Sequence, residues 1–137
     1  SATVVFKNCT IKSLADSHIT AASTHEDKKY GFVFFDCKLI AKDGITKVGL
    51  GRPWRSYAKT VFINSEMGNH ILPEGWNAWK GDQMFPDKEK TTYYAEFGSK
   101  GDGGDVSKRV SWSHQLTKKE LQNYTVEKIF GDWDPNK

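Results

Sequence analysis

Apolar residues fall in short runs, among them Val4-Val5-Phe6, Phe32-Val33-Phe34-Phe35 and Val61-Phe62-Ile63, separated by Gly, Asn, Asp and Lys. They show no sustained recurrence at three and four residues, so the pattern predicts strands rather than amphipathic helices. Aligning the runs exposes a repeat. Val5-Phe6-Lys7-Asn8-Cys9-Thr10-Ile11 matches Val33-Phe34-Phe35-Asp36-Cys37-Lys38-Leu39 and then Val61-Phe62-Ile63-Asn64-Ser65-Glu66-Met67, each copy 28 residues after the last. Because alternate strand residues face opposite sides, the apolar positions of one copy cannot share one strand face, and the chain is predicted to bend near the Asn or Asp.

A coil of this length built of short strands predicts parallel strands stacked at about 4.8 Å per layer, each burying its inner face on the next. The fold class that follows is all-β, a parallel β-helix in which Cys9, Cys37 and Ser65 form an internal ladder of small side chains. A looser fourth copy, Tyr93-Tyr94-Ala95-Glu96-Phe97, follows an insertion holding Pro73, Gly75, Gly81 and Pro86. Near the end, Thr117 with Glu120 three residues later carries the capping-box signature of a short C-terminal helix. The stretch from Thr125 to Gly131, ending at Trp133-Asp134-Pro135, is placed as a closure of the C-terminal end. The first strand begins almost at Ser1 without a capping element, which reads as coils of a longer solenoid. The free edge from Thr3 to Phe6 offers self-association by strand pairing.

With 137 residues the chain is read as a single domain over 1–137, large enough to build a core. Its net charge of +3 comes from scattered rather than clustered basic residues, which argues against a nucleic-acid partner. No apolar stretch reaches the length of a membrane span. Two cysteines are too few for a disulfide framework or for the four ligands of a structural zinc site.

His18, His25, His70 and His114 lack the local spacing of a metal site. Neither a Gly-x-Ser-x-Gly elbow nor a Walker loop is present. Gly98 to Asp105 lacks the ligand pattern of an EF-hand and reads as a flexible surface turn. The distinctive element is Leu50-Gly51-Arg52-Pro53-Trp54-Arg55. Gly51 would let the backbone turn and Pro53 would fix φ, holding Arg52 and Trp54 in set directions. An Arg so held can pair with a carboxylate, and an exposed Trp offers a flat face to a sugar ring. The competing reading is a structural ion pair and a core Trp, and spacing alone leaves the two open.

Taken with Asp16-Ser17-His18-Ile19-Thr20-Ala21, Tyr30-Gly31-Phe32-Val33-Phe34, Pro73-Glu74-Gly75-Trp76 and Arg109-Val110-Ser111-Trp112, this element makes nearly the whole chain resemble the C-terminal part of the pectin methylesterase (pectinesterase) family. The resemblance implies a right-handed parallel β-helix and hydrolysis of galacturonate methyl esters in pectin (homogalacturonan), releasing methanol without a metal or organic cofactor. In the family one aspartate attacks the ester, a second serves as acid and base, and a glutamine helps to stabilise the oxyanion. Carried over residue by residue, Arg52 takes the role of orienting the nucleophile and Trp54 that of stacking on substrate. Trp76 takes the place of a cleft-lining aromatic, with Trp79 a weaker candidate.

The segments that carry the glutamine and both aspartates in the family would lie before Ser1. Asp16, Asp36 and Asp43 match none of those roles, and local solvation or hydrogen bonding accounts for them. The isolated chain is therefore expected to be inactive. A secreted location, extracellular or periplasmic, follows from the substrate. A non-catalytic carbohydrate-binding β-helix is the alternative, and a calcium-dependent lyase on the same architecture is disfavoured by the lack of an acidic cluster.

Overall fold

The computed structural model describes residues 3–80, 84 and 86–131, and its strands stack as a parallel β-helix. The first coil contains β1 (Val4–Lys7), β2 (Thr10–Ser13) and β3 (His18–Thr20). The second repeats them as β4 (Phe32–Phe35), β5 (Lys38–Ala41) and β6 (Gly49–Gly51). The third opens with β7 (Lys59–Ile63) and β8 (Glu66–Met67), and the last two strands are β9 (Tyr93–Phe97) and β10 (His114–Gln115). All pairings are parallel, in sheets ordered β1-β4-β7-β9-β10, β2-β5-β8 and β3-β6.

The predicted bend is a left-handed residue. Asn8, Asp36 and Asn64 have φ of 55°, 52° and 51°, and the fourth copy uses Gly98 at 66°. Left-handed backbone disfavours most L-residues, whereas Asn, Asp and Gly tolerate it. At each corner the amide donates to the next coil: Asn8 to the Phe35 carbonyl at 2.9 Å, Asp36 to Ile63 at 2.9 Å and Asn64 to Phe97 at 2.7 Å. A Cβ on Gly98 would lie 2.2 Å from Asn64 Oδ1, so at this rung the neighbouring side chain also demands glycine. The insertion lengthens the third coil, since Ile63 now faces Phe97, yet the corner returns in register.

Alternate residues of the five-stranded sheet enter two different cores. Phe6, Phe34 and Phe62 point inward and stack with ring centroids 4.6 and 4.3 Å apart, nearly parallel. Glu96 occupies the next rung opposite Phe62. It is fully buried and is held by Arg109 through Nε at 2.8 Å and Nη2 at 3.1 Å, with Ser99 Oγ donating at 2.8 Å. A buried carboxylate needs such complete pairing to offset its lost hydration. The small-residue ladder is present as well. Cys37 and Ser65 are buried, the Cys37 amide donates to Ser65 Oγ at 3.3 Å, and both cysteines are free thiols, with burial pushing the Cys37 thiol up.

Outward, Val33, Val61 and Ala95 lie beneath Leu116 and Ile129. The capping box forms as predicted, with α1 (Lys118–Leu121) capped by Thr117 and Glu120. A second short helix, α2 (Val126–Ile129), follows, capped by the Thr125 side chain. Of these helices, α2 lies in the stretch expected to close the C-terminal end, and it does not plug the last coil. They run back along the outer face, where the Tyr30 hydroxyl donates to the Asn123 carbonyl at 2.6 Å, because strands apolar on both faces need a second cover. The expected closure at Trp133-Asp134-Pro135 lies outside the described residues. Gly103, expected on a flexible surface turn, is buried against the Gly68 carbonyl, and its own carbonyl accepts from Arg109.

The corner predicts its own mutational signature. Asn64→Val should lose about 2 kcal/mol in denaturant unfolding through left-handed strain, whereas Asn64→Gly should stay within about 1 kcal/mol of the parent.

Candidate functional site

The Leu50-Gly51-Arg52-Pro53-Trp54 element begins inside the fold and ends at its surface. Residues of β6 are all buried, and Leu50 N donates to the Gly75 carbonyl at 2.6 Å. Arg52 N donates to the Thr20 carbonyl at 3.1 Å and Trp54 N to Ala22 at 3.0 Å, so the preceding coil holds the segment. Gly51 serves close packing rather than a turn. A Cβ there would stand 2.5 Å from Thr20 Oγ1 and 3.0 Å from the Trp76 ring, and its φ is not left-handed.

Beyond Gly51 the side chains form a compact cluster. The Arg52 guanidinium lies 4.4 Å from the centre of the Trp79 ring, and Trp79 meets Trp54 at 5.3 Å between centroids. Trp54 is 54% exposed and presents a free aromatic face. Trp79 itself adopts φ of 53°, with its amide donating to Asn77 Oδ1 at 2.6 Å. Beneath it, the Lys88 ammonium lies 4.7 Å from the same ring. Arg52 Nε is buried without a hydrogen-bond partner, and Arg52 has no ion pair among the described residues. Its terminal guanidinium nitrogens, not buried and without a protein partner among the described residues, are the donors open to a carboxylate. Ser23, His25, Glu26, Arg55 and Tyr57 line an adjoining groove of about 480 Å³.

Trp76, expected to line a cleft, is instead a core residue, 2% exposed and stacked on Tyr94 at 4.3 Å. The wider loop of the third coil brings it over Phe62 to continue the aromatic column. Trp79, the weaker candidate, takes the place beside Trp54. The aspartates behave as expected. Asp16 accepts from the amides of Thr46 and Lys47 at 3.1 and 3.0 Å, Asp36 makes a corner, and Asp43 precedes the Gly44 turn. Sequence reasoning missed Lys88, because a lysine in a polar turn carries no signal of burial.

Comparison with known proteins agrees with this geometry. The family model described as Pectinesterase matches residues 1–132. The chain belongs to the pectinesterase family. Among its relatives, putative pectinesterase 11 of Arabidopsis thaliana is 38% identical over 97% of this chain and 37% of its own length. Probable pectinesterase/pectinesterase inhibitor 13 of the same plant is 35% identical over 96% of this chain and 24% of its own. Pectin methylesterase from carrot superposes with a TM-score of 0.82 at 28% identity, covering 96% of this chain and 45% of that one. A pectin methylesterase solved in complex with a hexasaccharide gives 0.73 at 28%, covering 96% and 46%. This pectinesterase chain thus spans less than half the length of these relatives, from 24% to 46%.

Two histidines tie the stability of this chain to pH. Burial lowers the pKa of His18, with the Arg52 charge adding to it, and burial lowers that of His70. Both fold neutral, so the unfolded chain takes up protons first as pH falls below the ordinary value of 6.5. Stability should hold above that value, decline below it and level off once the folded histidines protonate. Thermal melts across pH 8 to 5 check this, and His18→Gln with His70→Gln should flatten the decline. The two tryptophans should also separate. Trp76→Ala should cost about 3–5 kcal/mol in denaturant unfolding, whereas Trp54→Ala should stay within about 0.5 kcal/mol.

Proposed function

We propose that this chain forms one wall of the substrate cleft of a pectin methylesterase, which hydrolyses the C6 methyl esters of galacturonate in homogalacturonan to methanol and a carboxylate. The observation that carries this reading is Arg52, held over Trp79 with a buried, unpartnered Nε beside the exposed face of Trp54. A guanidinium so placed favours the ionised form of an aspartate brought against it and sets its direction. Attack on the ester carbonyl by that carboxylate expels methanol and leaves an acyl-enzyme, which water then hydrolyses to free the carboxylate. Trp54 supplies a flat face for a sugar ring, and the Ser23-to-Tyr57 groove extends it. Trp79 replaces Trp76 as its aromatic neighbour.

The nucleophile and the acid–base aspartate come, on this reading, from outside these residues, so the 137-residue chain by itself releases no methanol. That a similar esterase was solved with a bound hexasaccharide supports an oligogalacturonide ligand for this cleft. An insoluble polymeric substrate supports a secreted location, extracellular or periplasmic. Strand β1 is paired on one side among the described residues, which leaves its other edge for a further strand of the same protein or of a second copy.

Methanol release from highly methylated pectin by the full-length protein tests the reading. Arg52→Ala should lower kcat at least about 100-fold, and Trp54→Ala should raise KM about tenfold. Product absorbing as an unsaturated uronate would point to a lyase. Binding of pectin with no turnover by the full-length protein would overturn the esterase in favour of a carbohydrate-binding solenoid.

A further inference from the structure

Lys88 is a buried cation at the back of the cleft, outside every motif of the family resemblance. It sits in a single 3-10 turn (Lys88–Lys90), is 1% exposed, and its ammonium donates to the carbonyl oxygens of Pro53 and Trp54, both at 3.1 Å. The same ammonium faces the Trp79 ring, whose other close cation is Arg52. Removing an ammonium from water is costly, and two carbonyls with an aromatic face are the kind of partners that offset it. We infer that Lys88 is a positioning residue, clamping the two carbonyls of the Arg52–Pro53–Trp54 elbow so that guanidinium and indole reach the cleft in fixed directions.

The physical argument is one of local freedom. Upstream, the elbow is tied to the first coil by the amides of Arg52 and Trp54. Its carbonyls point the other way, toward the 3-10 turn; the amides of the same two peptide planes, Trp54 and Arg55, donate to the Ala22 carbonyl at 3.0 and 3.4 Å, and Lys88 holds the opposite edge of each plane. A single cation bonded to two successive carbonyls restrains both planes, and with them the Cα–Cβ direction of Trp54, the one residue between. A carboxylate or an apolar side chain could not do this, since the groups to be held are acceptors. Trp79 sits between the two cations and transmits the same restraint to Arg52.

The inference rests on the proposed esterase activity for its kinetic readout, and the test uses the full-length protein. Lys88→Met keeps an apolar stem of similar reach and removes the ammonium. It should raise KM for methylated pectin about fivefold and lower kcat about fivefold per folded molecule. In a Trp54→Ala background the KM rise should vanish while the kcat loss persists, because Lys88 acts on binding through Trp54. A merely structural role would shift both backgrounds alike, or lower the folded fraction with KM unchanged, and either result overturns the inference. The tryptophan emission removed by Trp54→Phe should become more quenchable by acrylamide in Lys88→Met. If the wild-type protein releases no methanol the esterase reading fails, and this quenching decides the inference independently: an unchanged value overturns it. Should Lys88→Met not fold, Lys88→Gln, which removes the charge and shortens the reach of the donor group, carries the same comparisons.

Discussion

A left-handed corner repeated at the same place in every coil is the constraint on which the rest of this structure depends. Asn8, Asp36, Asn64 and Gly98 each turn the chain at a φ that most side chains resist, and the first three of their amides bond to the coil that follows. Once the corner is set, the strands before and after it have no freedom of register. Phe6 must lie on Phe34 and Phe34 on Phe62, and the near-parallel stacking of these rings is the consequence. A one-residue slip would exchange the inner and outer faces of the sheet, putting the Phe column where Val33 and Val61 now meet α2. The long insertion in the third coil is tolerated because it leaves and re-enters at rungs whose corners agree.

Where the column meets the insertion, its chemistry changes. Glu96 stands in the rung after Phe6, Phe34 and Phe62, and Arg109 pairs with it. The same guanidinium also reaches the Pro73 and Gly103 carbonyls, at 3.1 and 2.8 Å, so it fastens the insertion and the following turn to the last coil. Such a pair is weak evidence of net stability but strong evidence of uniqueness of arrangement, since breaking it would leave an uncompensated buried charge. Trp76 completes the aromatic column beside it. Its burial frees Trp79 to swing outward, and Arg52, Trp54 and Lys88 assemble around that ring.

Much of this was legible along the chain. The 28-residue repeat, the bend at Asn and Asp, the ladder of small residues and the Thr117 cap are local or periodic features, and each appears as anticipated. Arg52 and Trp54 were found by their motif and do stand together. What misled was always a matter of environment. Gly51 reads as a turn residue but is required by the contact of Thr20 and Trp76 with its own backbone. Trp76 and Trp79 are three residues apart in one loop, with the same side chain and opposite fates. The stretch after Thr125 looks like an end plug, yet it covers the flank of the sheet.

The sequence by itself determined the coil length, the corners, the strand-forming runs and the helix cap, because each depends on φ preferences, side-chain alternation or hydrogen bonds within a few residues. Only the tertiary structure decided which tryptophan is core and which stands beside Trp54, where Arg109 finds its carboxylate, and that Lys88 lies buried under an aromatic ring. Those outcomes depend on what the neighbouring coil contributes at the same rung. Burial and pairing are properties of segments brought together from separate parts of the chain, 35 residues apart for Lys88 and Pro53 and 13 for Arg109 and Glu96, and no local pattern in either segment encodes the other.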